Sequence, residues 1–178
     1  MRRIGITGGI GSGKSVVSRL LRIMGYSVYD TDSEAKRLME SSLEVVQKLS
    51  ECFGRDIYHN GRLNRGLLSS RVFGKSDKIV LLNSIVHPVV RFDFYRWSES
   101  LNEEICFVES AILYESRFDE LVDEVWTVTA PEELRISRVR QRSGLTEEEI
   151  KKRMVAQLSE EEKQRRAAHI IWNDGNVS

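Results

Sequence analysis

A glycine-rich segment near the start of the chain carries the residues with the clearest chemistry. Residues 8–15 read Gly-Gly-Ile-Gly-Ser-Gly-Lys-Ser and satisfy the pattern G-x-x-x-x-G-K-[ST]. Glycines let backbone N–H groups converge on a phosphate, and Lys14 adds a mobile positive charge. Ser15 carries the first hydroxyl after the lysine, where a Mg²⁺ ion bridging nucleotide phosphates is ligated. The predicted nucleotide-binding residues are Gly8, Gly9, Ile10, Gly11, Ser12, Gly13, Lys14, Ser15 and Val16.

Two acidic residues follow the next predicted strand. Side chains alternate along an extended chain, so Asp30 and Asp32 are expected to point the same way. At the carboxyl edge of a parallel sheet, a carboxylate beside the phosphate loop can orient an attacking alcohol and take its proton. We assign this role to Asp32, while Asp30 positions it or contacts Mg²⁺ through water. The alternative is that one or both aspartates cap a helix starting near Ser33.

Hydrophobic spacing predicts the elements that position these residues. A β-branched strand precedes the glycine loop, and a helix from Lys14 to a C-cap at Gly25 follows it. The middle of the chain shows helical periodicity, and short apolar segments on either side of it are typical of buried parallel strands. These patterns predict an α/β core of about five strands with a helical insertion. The predicted strands are 3–7, 27–30, 105–108, 125–128 and 170–172.

Composition excludes several classes of function. The 27 basic and 27 acidic residues balance, so no global field attracts nucleic acid or an anionic membrane, and neither is an expected partner. No apolar run approaches the roughly 18 to 20 residues of a membrane span, and the first residues contain no signal-peptide core, so we expect a cytoplasmic protein. No asparagine begins the Asn-Lys-x-Asp element of GTPases. A compact phosphotransferase, expected as a monomer, is therefore favoured over a switch or motor.

With these residues in view, the chain resembles the dephospho-CoA kinase family along nearly its whole length. The loop 6–15 is similar to the family's T-G-G-I-G-S-G-K-S, a more specific pattern than a general phosphate loop. Further similar segments, in order, are Asp30-Thr31-Asp32, Phe53-Gly54, Gly61 to Arg65, Val72-Phe73, Leu82 to Pro88, Ile112 to Glu115, Arg138, Arg142, Arg153 to Gln157 and Asn173-x-Gly175. One departure is Glu109-Ser110-Ala111, where family members commonly carry an acid-x-Pro sequence.

The resemblance implies a P-loop kinase-type three-layer fold and ATP-dependent phosphorylation of the ribose 3′-hydroxyl of dephospho-CoA. It implies a nucleotide-binding core at 1–32 and 103–178, a lid at about 138–157 within it, and a helical acceptor-binding lobe at 33–102. Arg138 and Arg142 of the lid would neutralise charge on the transferring phosphoryl group. The other implied roles are acceptor binding by Thr7, Asp30, Asp32, Arg65, His87 and Arg91, adenine binding by Asn173, and Mg²⁺ binding through water by Asp30 or Glu109.

Several of these roles have an alternative. His87 before a proline is otherwise a capping or core residue, and Asn173 begins a good turn sequence. Arg138 and Arg142 are otherwise part of a solvated basic helix face that also includes Arg135 and Arg140. For the whole chain, the alternatives are a nucleoside or nucleotide monophosphate kinase of the same fold and a nucleotide-binding regulator without turnover.

Overall fold

The computed structural model describes residues 1–175 and divides into two compact units. One unit contains Met1–Asp30 and the chain from Ser100 onward, and the other is Thr31–Glu99. In chain order the helices and strands are β1 (Arg2–Thr7), α1 (Lys14–Ile23), β2 (Ser27–Asp30), α2 (Thr31–Ser41), α3 (Leu43–Phe53), β3 (Tyr58–His59), β4 (Arg62–Leu63), α4 (Arg65–Val72), α5 (Ser76–Ser100), β5 (Ile105–Glu109), β6 (Glu124–Thr129), α6 (Glu132–Ser143), α7 (Glu147–Val155), α8 (Glu160–Arg166) and β7 (His169–Trp172). Short 3₁₀ turns lie at Arg55–Ile57 and Phe118–Leu121.

The first unit is built on a parallel sheet in the strand order β2-β5-β1-β6-β7. Its central strand β1 buries Ile4 and Ile6, which lie 3% and 0% exposed and pack with Leu21, Phe107 and Val128. A strand covered on both faces needs such a continuous apolar run, which explains why strand periodicity is weak here. All five predicted sheet strands are confirmed to within two residues at each end. The predicted α/β fold with parallel strands flanked by helices is also confirmed.

Helix α1 begins directly after the glycine-rich loop and buries Ser18 and Leu21 against the sheet. It ends as the sequence predicts. Gly25 adopts φ 94°, and its N–H donates to the carbonyl of Arg22, while the N–H of Tyr26 donates to the carbonyl of Leu21. These two bonds satisfy carbonyls at the helix end and turn the chain into β2.

The second unit is helical, with α2 to α5 and one small hairpin. Ser42 and Asn64 cap α3 and α4, since their side-chain oxygens accept from the N–H groups of Val45 and Leu67. The hairpin turn is Asn60-Gly61, with φ 50° and 75°, the backbone form that matches the twist of two short strands. Each strand of this hairpin has two residues, which is too short to leave a periodic pattern in the sequence.

The longest helix, α5, has 25 residues and continues through Pro88. Its buried residues include Ile85, Val86, Val90 and Phe94, so the predicted apolar spacing in this segment marks a real helix face. Ile79, in the first turn of this helix, is 42% exposed and lies outside the buried face. None of the helices in the described part of the chain combines the length and apolar character of a membrane span.

Candidate active site

The glycine-rich loop joins the carboxyl end of β1 to the amino end of α1. Gly11 and Gly13 have φ of 81° and 98°, in the left-handed region that side chains with a Cβ rarely adopt. The space around them is also closed, because a Cβ on Gly11 would lie 2.4 Å from the carbonyl oxygen of Arg135. Gly13 is the N-cap of α1, and no side chain caps the helix. A helix end that no side chain caps is the kind of terminus that binds anions.

Lys14 and Ser15 form the first turn of α1 beside this loop. The Lys14 ammonium donates to the carbonyl of Gly8 at 2.8 Å and contacts that of Gly9 at 3.4 Å. The Lys14 ammonium therefore lies against the loop. A lysine side chain is flexible enough to turn from there to a phosphate. Ser15 is exposed, so its hydroxyl is accessible to a metal ion. The structure brings together the loop residues that the sequence assigns to phosphate binding, and their contacts with a nucleotide stay a prediction.

Three polar atoms on predicted site residues are buried without a hydrogen-bond partner within residues 1–175. They are the hydroxyls of Thr7 and Ser12 and one guanidinium nitrogen, Nη1, of Arg138. Leaving a buried polar group unsatisfied costs about 1 to 3 kcal/mol, and such groups in native proteins are usually satisfied by water, an ion or a ligand.

Asp30 and Glu109 end two neighbouring strands at the same edge of the sheet. They are register partners across β2 and β5, and Glu109 is also paired with Ile6 of β1. Their backbones therefore lie roughly 5 Å apart. Glu109 is on the strand next to β1, which leads into the phosphate loop, and Asp30 is one strand further out. No group of three or more His, Cys, Asp and Glu side chains in the described residues could hold a metal ion.

Asp32 lies in the first turn of α2 and not in an extended segment, so side-chain alternation no longer supports its assignment as the base. The helix begins at Thr31, so Asp30 and Asp32 do not share one extended segment, and the predicted alternation is wrong. Successive helical residues rotate by about 100° around the axis, so residues two apart face different directions. Of the alternative that one or both aspartates cap this helix, the Asp32 half is wrong because Asp32 lies inside α2, whereas Asp30 is the residue directly before the helix. Its side chain is exposed, and its role as a base stays a prediction.

His87 and Arg91 lie one turn apart on α5, as the sequence predicts. Burial lowers the pKa of the half-buried His87 imidazole, and the nearby Arg91 charge lowers it further. His87 is therefore neutral at physiological pH and can donate or accept one hydrogen bond at each ring nitrogen. The capping alternative is wrong, because His87 lies in the interior of the helix. Arg65, the first residue of α4, forms an ion pair with Glu40 at 3.2 Å.

The predicted lid arginines both lie on α6, but their neighbour Arg135 does not behave as the sequence suggested. Arg138 is half-buried and Arg142 is exposed. Arg135 is only 5% exposed, so its assignment to a solvated basic face is wrong. Arg135 comes one residue before Ile136 and one helical turn before Val139, and both of these residues are buried. Its position relative to these apolar residues was the signal that could have placed it on the inner face of the helix.

Residues near the end of the described chain also contact the loop. The side-chain amide of Asn173 donates to the carbonyl of Ser12 at 2.9 Å, and the Asn173 N–H donates to the carbonyl of Thr129 at 2.8 Å. Asn173 thus lies beside the phosphate loop, and its contact with adenine stays a prediction. The side chain of Gln157 accepts from the N–H of Ile10 at 3.0 Å. Arg135, Gln157 and Glu160 support the loop, a role that the sequence analysis gave to none of them.

Comparison with known proteins agrees with this geometry. The family model described as dephospho-CoA kinase matches residues 2–178. Dephospho-CoA kinase of Porphyromonas gingivalis is 44% identical over 174 residues, which cover 97% of this chain and 86% of that protein. The crystal structure of TT1252 from Thermus thermophilus is 38% identical, with a TM-score of 0.84, and covers 98% of this chain and 90% of that one. Dephospho-CoA kinase from Campylobacter jejuni is 25% identical, with a TM-score of 0.73, and covers 99% of this chain and 90% of that one. The chain therefore belongs to the dephospho-CoA kinase family.

Proposed function

We propose that this protein transfers the γ-phosphoryl group of ATP to the ribose 3′-hydroxyl of dephospho-CoA, which yields coenzyme A and ADP. The observation that carries the proposal is a phosphate loop in its strand–loop–helix context within a chain that matches the family from residue 2 to residue 178. The family match supports the reaction, and the loop geometry supports the nucleotide-binding half of it. No observation favours a nucleotide monophosphate kinase or a regulator without turnover.

The loop residues hold the nucleotide in this proposal. Backbone N–H groups of the loop and the amino end of α1 surround the β-phosphate, and Lys14 moves from the carbonyls of Gly8 and Gly9 to the transferring phosphoryl group. The Ser12 hydroxyl and Arg138 Nη1, which have no partner in the described residues, donate to phosphate oxygens. Arg142 adds a second positive charge from the same helix, and together the two arginines stabilise charge that grows in the transition state.

Asp32 orients the acceptor hydroxyl and removes its proton as the phosphoryl group is transferred. Its position in the first turn of α2 is compatible with this role, since acidic side chains are favoured near the amino end of a helix. His87, Arg91 and Arg65 bind the phosphates or ribose of the acceptor, and Thr7 and Asp30 assist from the edge of the sheet. Arg65 must then exchange its ion pair with Glu40 for a substrate phosphate, which is a small cost at an exposed pair.

Ser15 would ligate Mg²⁺ through its hydroxyl, and Asp30 or Glu109 would hold waters of the ion from the adjoining strand ends. When bound, the ion neutralises charge on the β- and γ-phosphates and aligns them for in-line transfer. The chain's own contribution is the placement of one hydroxyl and two strand-terminal carboxylates beside the phosphate loop.

A substrate panel tests the proposal. The protein is incubated with Mg-ATP and dephospho-CoA, or with nucleosides and nucleoside monophosphates, and ADP release and the phosphorylated product are measured. We expect ADP and a 3′-phosphorylated product with dephospho-CoA alone, and phosphorus NMR identifies the new phosphate position. A Lys14→Ala sample run in parallel controls for contaminating kinases. Absence of ADP release with dephospho-CoA would overturn the proposed reaction.

A further inference from the structure

Ile10, in the middle of the phosphate loop, is held by three contacts from outside the loop. Its N–H donates to Gln157 Oε1 at 3.0 Å, and its carbonyl accepts from Arg135 Nε at 3.0 Å. Its side chain packs against the cluster of Ile136, Val139 and Ile150. Both polar groups of this residue are therefore used by α6 and by the segment after α7, so the conformation of the loop depends on residues that come more than 120 positions later.

Arg135 is itself rigidly held. Its guanidinium lies 3.5 Å from Glu160 Oε1, and the other oxygen of Glu160 accepts from the Thr129 hydroxyl at 3.1 Å. The side chains of Arg135 and Glu160 are 7% and 18% exposed, so solvent screens this ion pair weakly. The loop packs directly over it, since a Cβ on Gly9 would lie 2.2 Å from an Arg135 side-chain nitrogen.

We propose that Arg135 and Gln157 are positioning residues that hold the Ile10 peptide and thereby preorganise the phosphate loop for ATP, an inference that rests on the nucleotide-binding half of the proposed function. A loop whose N–H groups must converge on a phosphate loses conformational entropy when it becomes ordered. If neighbouring side chains order the loop before the nucleotide arrives, that cost is not subtracted from ATP affinity. Neither residue needs to touch the nucleotide for this effect.

Two variants remove the two hydrogen bonds independently. Gln157→Leu removes the acceptor for the Ile10 N–H, and the double variant Arg135→Met/Glu160→Gln removes the donor to the Ile10 carbonyl without leaving a buried unpaired carboxylate. A net hydrogen bond is worth about 1 kcal/mol, so we expect each variant to weaken ATP binding about fivefold or more. The dissociation constant for ATP is measured by calorimetry without acceptor, and KM for ATP and kcat are measured with dephospho-CoA. KM should rise with the dissociation constant, while kcat changes by less than about threefold.

Arg140→Gln is the matched control, because Arg140 is an exposed arginine on the same helix. It should leave ATP affinity unchanged. Arg135→Lys tests the geometry separately from the charge, because lysine keeps the positive charge but lacks the planar fork that reaches both Ile10 and Glu160. We expect Arg135→Lys to recover less than half of the lost binding free energy.

Unfolding temperatures measured on the same samples separate positioning from simple stabilisation. A lower unfolding temperature with unchanged ATP affinity in both variants would overturn the proposal, because it would show that these contacts serve stability alone. An unchanged affinity in the Gln157→Leu variant by itself would remove Gln157 from the proposal. Because ATP binding is measured without acceptor, a protein that binds ATP but fails to phosphorylate dephospho-CoA still gives a clear answer here.

Discussion

At the scale of single residues, the proposed chemistry divides between a charge that binds and a carboxylate that reacts. Lys14 begins α1 and lies against the carbonyls of Gly8 and Gly9, while Asp32 lies in the first turn of α2. Under the proposed function, Lys14 contacts the nucleotide in both the ground state and the transition state, whereas Asp32 acts on the acceptor only as its proton leaves. Their substitutions should therefore separate in kinetics.

Replacing Asp32 by Asn should reduce kcat by about 10² or more and leave ATP affinity nearly intact, as loss of a positioned base does. Steady-state kinetics and calorimetric ATP binding measure the two quantities. Asp77→Asn is a suitable control, since Asp77 is also an exposed aspartate in the first turn of a helix. A near-normal kcat in the Asp32 variant would reduce that residue to a helix-stabilising charge.

Replacing Lys14 by Ala should weaken ATP binding and lower kcat together. The lysine charge supports the β- and γ-phosphates before and during transfer, and a charge-assisted contact contributes about 1.5 to 3 kcal/mol. That range corresponds to roughly ten- to a hundredfold in ATP affinity. An unchanged reaction rate would contradict the assignment of residues 8–15 as the phosphate loop.

At the scale of elements, the two ends of α1 both require glycine for its backbone conformation, and the loop end also requires it for close packing. Gly13 caps α1 at φ 98°, and a Cβ there would lie 2.0 Å from the Asn173 side-chain amide nitrogen. Gly25, at the other end of the same helix, has a similar φ of 94° and open space around its missing Cβ. Both glycines therefore adopt a left-handed backbone conformation, but only Gly13 has another side chain packed against its Cβ position.

Gly25→Ala should lower the free energy of unfolding by roughly 1 kcal/mol, the cost of a left-handed residue with a Cβ, and leave ATP affinity unchanged. Gly13→Ala carries the same cost and also displaces Asn173, which breaks the bond to Ser12 and adds about 1 kcal/mol. Urea unfolding and calorimetric ATP binding compare the two variants. Equal stability losses and equal ATP affinities would contradict the close approach of Asn173 to the loop.

At the scale of the whole molecule, the half-buried His87 is expected to make the free energy of unfolding depend on pH. Burial, helped by Arg91, lowers the pKa of His87 below its ordinary value of 6.5. Above that pH the imidazole is neutral in both the folded and unfolded states, so it contributes no pH dependence. As the pH falls below it, the unfolded chain binds a proton that the folded chain resists, and the free energy of unfolding decreases.

His87→Asn should therefore flatten the decline of stability below pH 6.5, whatever its effect at neutral pH. Urea unfolding at several pH values between about 5 and 7.5 measures the slope for the variant and the wild type. His59→Asn, at the exposed histidine of the hairpin, should retain the wild-type slope. Identical slopes in the His87 variant and the wild type would show that His87 does not resist protonation.

Much of the architecture could be predicted because local patterns coincide with the global fold. The five sheet strands, the first helix and its glycine C-cap follow from apolar runs and turn residues alone. The start of α2 could not be predicted to the residue. Thr31 and Asp32 are compatible with both an extended chain and a helix, and their surroundings in the folded chain decide between them. The same limit applies to α5, which continues through Pro88 although proline usually ends a helix.

The parts of the candidate site that depend on residue type could be predicted from the sequence. The parts that depend on tertiary contacts could not. The phosphate loop is defined by its glycines, lysine and serine, which are adjacent in sequence. That loop is supported by Arg135, Gln157 and Glu160. These residues are distant from the loop in sequence and approach it only in the folded chain. Nothing in the composition of α6 distinguishes a buried arginine from its exposed neighbours, and only the phase of the apolar residues does so.

Because all five sheet strands run parallel, their amino ends lie together on the rim opposite the phosphate loop. The turn at Gly25 belongs to that opposite rim, is exposed, and has open space on its Cβ side. A short peptide, a fluorophore attachment point or a new chain terminus placed there should disturb neither the phosphate loop nor the strand ends that carry the acidic side chains. The Gly25 turn can thus accept inserted sequence at the edge of the sheet opposite the proposed chemistry.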